Sequence, residues 1–315
     1  MILKERTKSI THRVLESLNF RMNLPVDEQL KYENQVKGWA GEKQFDFYMG
    51  QFNQSGYVLN DLVLNYKDTV FQIDSLFIAN DSIYLYEVKN YTGSYFYKED
   101  SFFTESGYQI LNPLRQIDRS VTYLQNVLLR LGYRLPIHPM VVFINPEFTL
   151  YSILPNKHFL FSYQLPKHLS TLSNQTLSIK QEQLNLAHKL KELHNEDYRP
   201  DNLPIYQLGQ LKKGILCPIC FSLSHTTTRQ NYLCTACGHK ETITTAIERS
   251  IKEFKLLFPD NLMTTSQIYE WCGKNYSKER IRIILKKNYQ SHLSRHMTYY
   301  SEKSPSKVPL FDKIP

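Results

Sequence analysis

The segment Ile83–Asn90 reads Ile-Tyr-Leu-Tyr-Glu-Val-Lys-Asn, an apolar strand pattern carrying a carboxylate and an ammonium near its end. Side chains alternate along a strand, so Ile83, Leu85, Glu87 and Lys89 share one face and Val88 points to the other. Charges on an inner strand face are costly to bury unless they are paired or hold a metal ion. Asp74 interrupts the preceding apolar run in the same manner, between Ile73 and Leu76, and Asn80-Asp81-Ser82 is a tight connection that would pair the two strands. Asp74 and Glu87 would then approach and repel each other, and a divalent cation relieves such repulsion. An all-oxygen set suits Mg2+ or Mn2+. The chemistry that fits is metal-assisted phosphodiester hydrolysis. Asp74 and Glu87 would hold the ion with the backbone carbonyl of Val88, and Lys89 would orient the attacking water or meet charge developing on the phosphate. The plainer alternative is a surface ion pair worth about 0.2–1 kcal/mol. Glu253-Phe254-Lys255, on a helical pattern, shows that the tripeptide also arises by chance.

A second constellation is Cys217-Pro-Ile-Cys220 and Cys234-Thr-Ala-Cys237, with 13 residues between the pairs. The spacing predicts two knuckle turns facing each other across one structural Zn2+. A segment this short depends on the metal for its folding free energy. His239 adjoins the site, but four thiolates already complete a tetrahedron. Cys272 follows Trp271 on a helical pattern and reads as packing. Free cysteines and a charged opening, Met1 to Arg6, with no apolar signal core lead us to expect a reducing, cytoplasmic setting.

The formal net charge of +8 is unevenly spread: residues 1–204 hold 21 Lys and Arg against 22 Asp and Glu, residues 205–315 hold 17 against 8. A basic module of this kind meets nucleic acid or an anionic surface. Within it, residues 265–272 and 277–289 read as two helices separated by Gly273. The second turns Ile281, Ile284 and Leu285 inward and places Lys278, Arg282 and Lys286 on another face, joined by Arg280 and Lys287. A helix-turn-helix or winged-helix unit contacting nucleic acid has this pattern, and a merely solvated basic face is the alternative. His292 and His296 would share a face if the second helix continued.

The elements that must position these groups follow from periodicity. Residues 3–20 and 26–52 read as helices, the second with a break near Gly38. Strands are expected at 57–64, 70–79 and 83–90, an aromatic hairpin at 95–104, an amphipathic helix at 113–131 and a buried strand at 139–144. Further helices are expected near 180–194 and at 244–258. We divide the chain into an N-terminal helical segment (1–32), a mixed α/β domain (33–150), a helical extension and linker (151–204), a zinc ribbon (205–243) and a basic helical module (244–315). Most of Tyr84, Tyr86, Tyr91, Tyr95 and Tyr97 read as core, with base stacking open to one or two. No apolar run approaches membrane-spanning length, and no G-x-G-x-x-G, phosphate loop, H-E-x-x-H or G-x-S-x-G occurs.

Gly38-Trp39-Ala40-Gly41-Glu42, Gln72-Ile73-Asp74, Glu87-Val88-Lys89-Asn90 with Gly93, and Asn112-Pro113-Leu114-Arg115-Gln116 occur in that order. Together they resemble the nuclease-related domain (NERD), a family similar to the PD-(D/E)xK nucleases. The resemblance implies a restriction-endonuclease-like α/β fold, a mixed sheet flanked by helices. It also implies an active site of Glu42, Asp74, Glu87 and Lys89 with Gln116 as a supporting polar group. The expected function is Mg2+-dependent cleavage of nucleic acid, DNA before RNA, with the ribbon and basic module supplying affinity. A non-catalytic DNA-binding adaptor that retains the fold is the alternative, and the ribbon is also suited to a protein partner.

Overall fold

A parallel partner for the meander of residues 57–89 is supplied by both ends of the α/β segment, and this creates a six-stranded mixed sheet. The computed structural model describes residues 1–51, 56–152, 156–175, 180–294 and 297–303; Phe52 and His296 lie outside them. In chain order the elements begin with β1 (Ile2–Lys4), α1 (Ile10–Arg21), α2 (Val26–Gln51), β2 (Tyr57–Tyr66), β3 (Thr69–Ile78) and β4 (Ile83–Lys89). Then come β5 (Gly93–Lys98), β6 (Ser101–Thr104), β7 (Gln109–Ile110), α3 (Pro113–Arg130), β8 (Ile137–Phe143), β9 (Phe148–Tyr151) and β10 (Phe159–Phe161). They continue as α4 (Leu165–Gln175), α5 (Gln181–Glu192), β11 (His225–Thr227), β12 (Asn231–Cys234), β13 (Lys240–Thr242) and α6 (Ile243–Leu257). The last are β14 (Met263–Thr264), α7 (Thr265–Trp271), α8 (Lys278–Asn288), β15 (Gln290–Ser294) and β16 (Met297–Ser301). The first helix therefore starts at Ile10 and not at residue 3, because Ile2–Lys4 pairs in parallel with β2. The second passes Gly38 unbroken.

The chain forms two units, one of Met1–Ser9 with Glu33–Pro200 and one of Ile10–Tyr32 with Asp201–Pro315. In the first, the main sheet has the order β1-β2-β3-β4-β8-β10. β4 runs antiparallel to β3 and parallel to β8. Its alternation separates two cores. Ile83 and Leu85 pack with Ile117 and Leu124 of α3 and Leu186 and Leu190 of α5. Tyr86 and Val88 pack with Phe45 and Met49 of α2 and Leu165 and Leu169 of α4. Helices thus cover both faces of a mixed sheet whose antiparallel centre is flanked by parallel pairings. α3 begins where Asn112 caps it, its Oδ1 accepting from the Leu114 amide at 2.9 Å, with Pro113 at the first helical position. A smaller sheet, β7-β6-β5-β9, leans on the α3-side core through Phe102 and through stacked Tyr91 and Tyr95 with Phe148 tilted against them.

In the second unit one core joins Val14 and Leu18 of α1, Cys217, Tyr232 and Cys234 of the ribbon, and Ile247, Phe254, Ile268, Trp271, Ile281 and Leu285 of the basic module. The ribbon sheet is β11-β12-β13. The order helix, short strand, two helices, hairpin, with the sheet β14-β16-β15, makes the basic module a winged helix-turn-helix. His292 therefore lies on a wing strand and not on a helix. Cys272 is fully buried here, and Glu253 of the second E-x-K tripeptide is an ion-pair partner of the buried Arg21 and accepts from Ser17. No helix among the described residues is long and apolar enough to cross a membrane.

Candidate active site

β3 and β4 stop pairing just where their carboxylates begin. The last paired residues are Ser75 and Tyr86, so the next positions in register, Asp74 and Glu87, face each other across a gap. The backbone amide of Val88, which would otherwise meet β3, donates to Asp74 Oδ2 at 2.9 Å. The kink comes from the far side of β3. Asp61 of β2 stands opposite Asp74 and has φ 54°, so the ladder skips from Asn60–Ser75 to Leu62–Ile73. The inward face shifts by one on both strands: Leu59 and Leu62 share a core, as do Ile73 and Leu76. A bulge-like break of this kind re-aims a side chain, and here it turns Asp74 toward β4.

Glu87 is 2% exposed and Asp74 8%. Lys89 Nζ donates to Glu87 Oε1 at 2.7 Å and to Gln116 Oε1 at 3.0 Å. Gln116 is thus a tertiary partner of the lysine, delivered by the first turn of α3, and not a local cap. Burial and the Asp74 charge push Glu87 up to about 7. Burial chiefly, and again Asp74, push Glu42 up to about 8. Burial also raises Asp74. Burial pulls the Lys89 ammonium down, but Glu87, Tyr91 and Asp74 outweigh it and its pKa is raised. The carboxylates therefore sit within electrostatic reach of one another, in surroundings that favour loss of their negative charge or its compensation by a cation.

Glu42 comes from α2, whose position is set by Gly41: a Cβ there would lie 2.5 Å from Asn90 Cβ and 3.1 Å from Ile144 Cγ2. Gly38 of the same motif has nothing within 4 Å. Sequence reasoning missed two neighbours of Glu42. Arg6 donates through Nη1 to Glu42 Oε2 at 2.9 Å and through Nε and Nη2 to Asp46 at 3.0 and 2.9 Å. Asp61, 6% exposed, accepts from Gln72 Nε2 at 2.9 Å and Thr7 Oγ1 at 3.3 Å, and its charge raises both Glu42 and Asp74. An Asn-Asp pair inside an apolar strand was the available signal, since both residues tolerate left-handed backbone.

Residues 37–144 match the family model of the nuclease-related domain. The match begins just before Gly38 and ends at Ile144, so it contains Glu42, Asp74, Glu87, Lys89 and Gln116, whereas Arg6 lies outside it. No curated protein and no solved structure matches the chain. Within the nuclease-related domain the donor chemistry fits a hard divalent cation, with carboxylates whose pKa is raised chiefly by burial in a break between strands. Among the described residues, however, the four cysteines are the only group of three or more ligand-type side chains whose ligand atoms all lie within 4.8 Å of one another.

Those cysteines cluster in the arrangement that fits a zinc ribbon. Sγ of Cys217 lies 3.6 Å from Cys237, and Cys220 lies 3.5 Å from Cys234. Sulfurs about 2.3 Å from a tetrahedral zinc stand about 3.8 Å apart, so the cluster is close to ligating size. The two knuckles are the same turn twice. The amide of Phe221 donates to the Cys217 carbonyl at 3.0 Å and that of Gly238 to the Cys234 carbonyl at 3.0 Å, with φ 56° and 76°. Phe221 holds a conformation that favours glycine and stacks on Phe20 at 4.4 Å. His239 is not part of the cluster.

On α8, capped by Ser277 Oγ accepting from the Arg280 amide, the five basic residues are not equivalent. Arg280 donates to the Arg229 carbonyl at 3.0 Å. Arg282 is paired with Glu279 through two contacts of 2.9 and 2.7 Å. Lys278 sits over the Tyr269 ring at 5.2 Å. Lys286 and Lys287 are exposed at the C-terminal end.

Proposed function

We propose that residues 33–150 are a Mg2+-dependent nuclease that hydrolyses phosphodiester bonds, with DNA the favoured substrate and the winged, zinc-bearing unit supplying affinity. One observation carries the reading: where β3 and β4 part, buried Asp74 and Glu87 come together with a lysine that is itself held by Gln116. Asp74 and Glu87, with the Val88 carbonyl, would hold the ion, and Glu42 would add a carboxylate from α2. A bound Mg2+ or Mn2+ would supply an acidified water and offset charge on the phosphate. Lys89, kept charged by Glu87, would hold the attacking water or a phosphate oxygen at Nζ, and Gln116 Oε1 fixes that ammonium. The four thiolates would bind Zn2+ as a folding element. Lys278, Arg280, Arg282, Lys286 and Lys287 would meet the phosphate backbone, Lys286 and Lys287 with the least competition from internal partners.

A second reading is favoured by the geometry of Glu87, whose closest partner is Lys89 at 2.7 Å: a non-catalytic DNA-binding adaptor in which the pair is only structural. Cleavage of labelled DNA and RNA with and without Mg2+ or Mn2+ separates the two. Metal-dependent cutting lost in Glu87→Ala and Lys89→Ala supports the nuclease. Cutting that survives both substitutions removes the assignment, and salt-sensitive binding without cutting under any metal supports the adaptor.

A further inference from the structure

The family match starts at residue 37, yet the side chain that grips Glu42 comes from residue 6. The chain is brought there by β1, which pairs in parallel with β2. Lys4 is buried, and its Nζ donates to the carbonyls of Asn60 and Asp61 at 2.9 and 2.8 Å, pinning the N-terminal strand to the kink in β2. Two residues on, the Arg6 side chain is wholly buried and divides its fork between Glu42 and Asp46, which lie one helical turn apart. Thr7 then reaches Asp61. A guanidinium does not lose its proton in a protein, so this is a permanent positive charge built against the helix carboxylates.

Resting on the nuclease reading above, we infer that Arg6 is a positioning residue of the active site and stands as the fixed cation between Glu42 and Asp46, so that the site takes one divalent ion and not two. The charges support this. The site region gathers the carboxylates of Glu42, Asp46, Asp61, Asp74 and Glu87 against the cations Lys4, Arg6 and Lys89, and half-exposed Lys43 stands 4.0 Å from Asp46. Five carboxylates against these four cations leave an excess of at most one negative charge, too little to compensate two divalent ions. Two-metal sites place their ions about 3.5–4 Å apart between bridging carboxylates, and Arg6 already occupies one such pair. It engages only Oε2 of Glu42, which orients the carboxylate without consuming both oxygens.

The test is calorimetric titration of Mn2+ into the zinc-loaded full chain. Wild type is expected to bind one Mn2+ beyond its zinc, and Arg6→Lys to keep that number. Arg6→Gln, checked for folding by circular dichroism, is expected to bind a second, weaker Mn2+ that disappears in Arg6→Gln combined with Glu42→Gln. Two Mn2+ in wild type overturn the inference and leave the nuclease reading intact; this result needs no variant to fold. A folded Arg6→Gln that binds one Mn2+ with unchanged affinity overturns it as well. No Mn2+ in wild type, or one Mn2+ that survives Glu87→Ala, removes the metal reading itself and the role of Arg6 with it.

Discussion

Gly38 and Gly41 lie one turn apart on the same helix, and alanine at the two positions is expected to act in opposite directions. Both substitutions remove the helix-interior glycine penalty, about 1 kcal/mol each. At Gly38 nothing lies within 4 Å of the new methyl, so the gain stands alone. At Gly41 the methyl would fall 2.5 Å from Asn90 Cβ and 3.1 Å from Ile144 Cγ2. Carbon atoms rest about 3.5–4.0 Å apart, so α2 must withdraw by on the order of 1 Å. Because Asn90 Cβ is fixed to the backbone and cannot swing away, the overpacking cost belongs at the upper end of the usual range, about 3 kcal/mol. The net is a loss of about 2 kcal/mol for Gly41→Ala against a gain of about 1 for Gly38→Ala. Such a difference corresponds to midpoints separated by about 6–12 °C, at 2–4 °C per kcal/mol for a domain of this size. Urea and thermal unfolding of the two variants and wild type, with m-values compared, measure it. Equal stability of the two variants would show that α2 does not rest on the end of β4, and the argument placing Glu42 would fall. In the same variants Mn2+ affinity should drop only for Gly41→Ala, since Glu42 is the next residue.

Chelation of zinc, or Cys234→Ser, is expected to melt the ribbon and expose Tyr232 and Ile243 of the shared core, read as a loss of cooperative unfolding in the second unit; an unchanged melting curve would contradict a folding role for the metal. Phe221→Ala should destabilise that unit by about 1–2 kcal/mol because the stacking is lost and the left-handed strain stays, while Phe221→Gly, which relieves the strain, should fall close to wild type; equal losses in the two would refute the balance. His168, whose Nε2 lies 3.0 Å from the Tyr86 hydroxyl, has its pKa lowered by burial. The unfolded chain therefore takes up a proton first, and stability of the first unit should fall as pH drops below 6.5 toward the folded-state value. His168→Gln should flatten that slope in urea midpoints measured from pH 7.5 to 5; an unchanged slope would refute the role of this histidine.

Much of the site was legible because it obeys short periods. Strand alternation put Glu87 and Lys89 on one face, the tight turn brought Asp74 alongside, and the two C-x-x-C spacings announced the knuckles. The winged module was half legible: apolar and basic faces of α8 follow the helical period, but nothing local revealed that Arg280 is spent on the Arg229 carbonyl. Asp61 was legible only as half of an Asn-Asp pair inside an apolar strand, and Arg6 was not legible at all. β1 is three residues long, too short for alternation to register, and the ion pairs of Arg6 span 36 and 40 residues of chain.

By itself, then, the order of residue types singled out the candidate groups: acids and a lysine on an otherwise apolar strand, and thiols at metal spacing. Tertiary structure alone decided how they are charged and where they point. The parting of β3 from β4, the left-handed Asp61 opposite Asp74, and the Arg6 clamp all depend on contacts between distant segments. Electrostatics in a buried site is set by every charge within a few ångströms, whatever its distance along the chain.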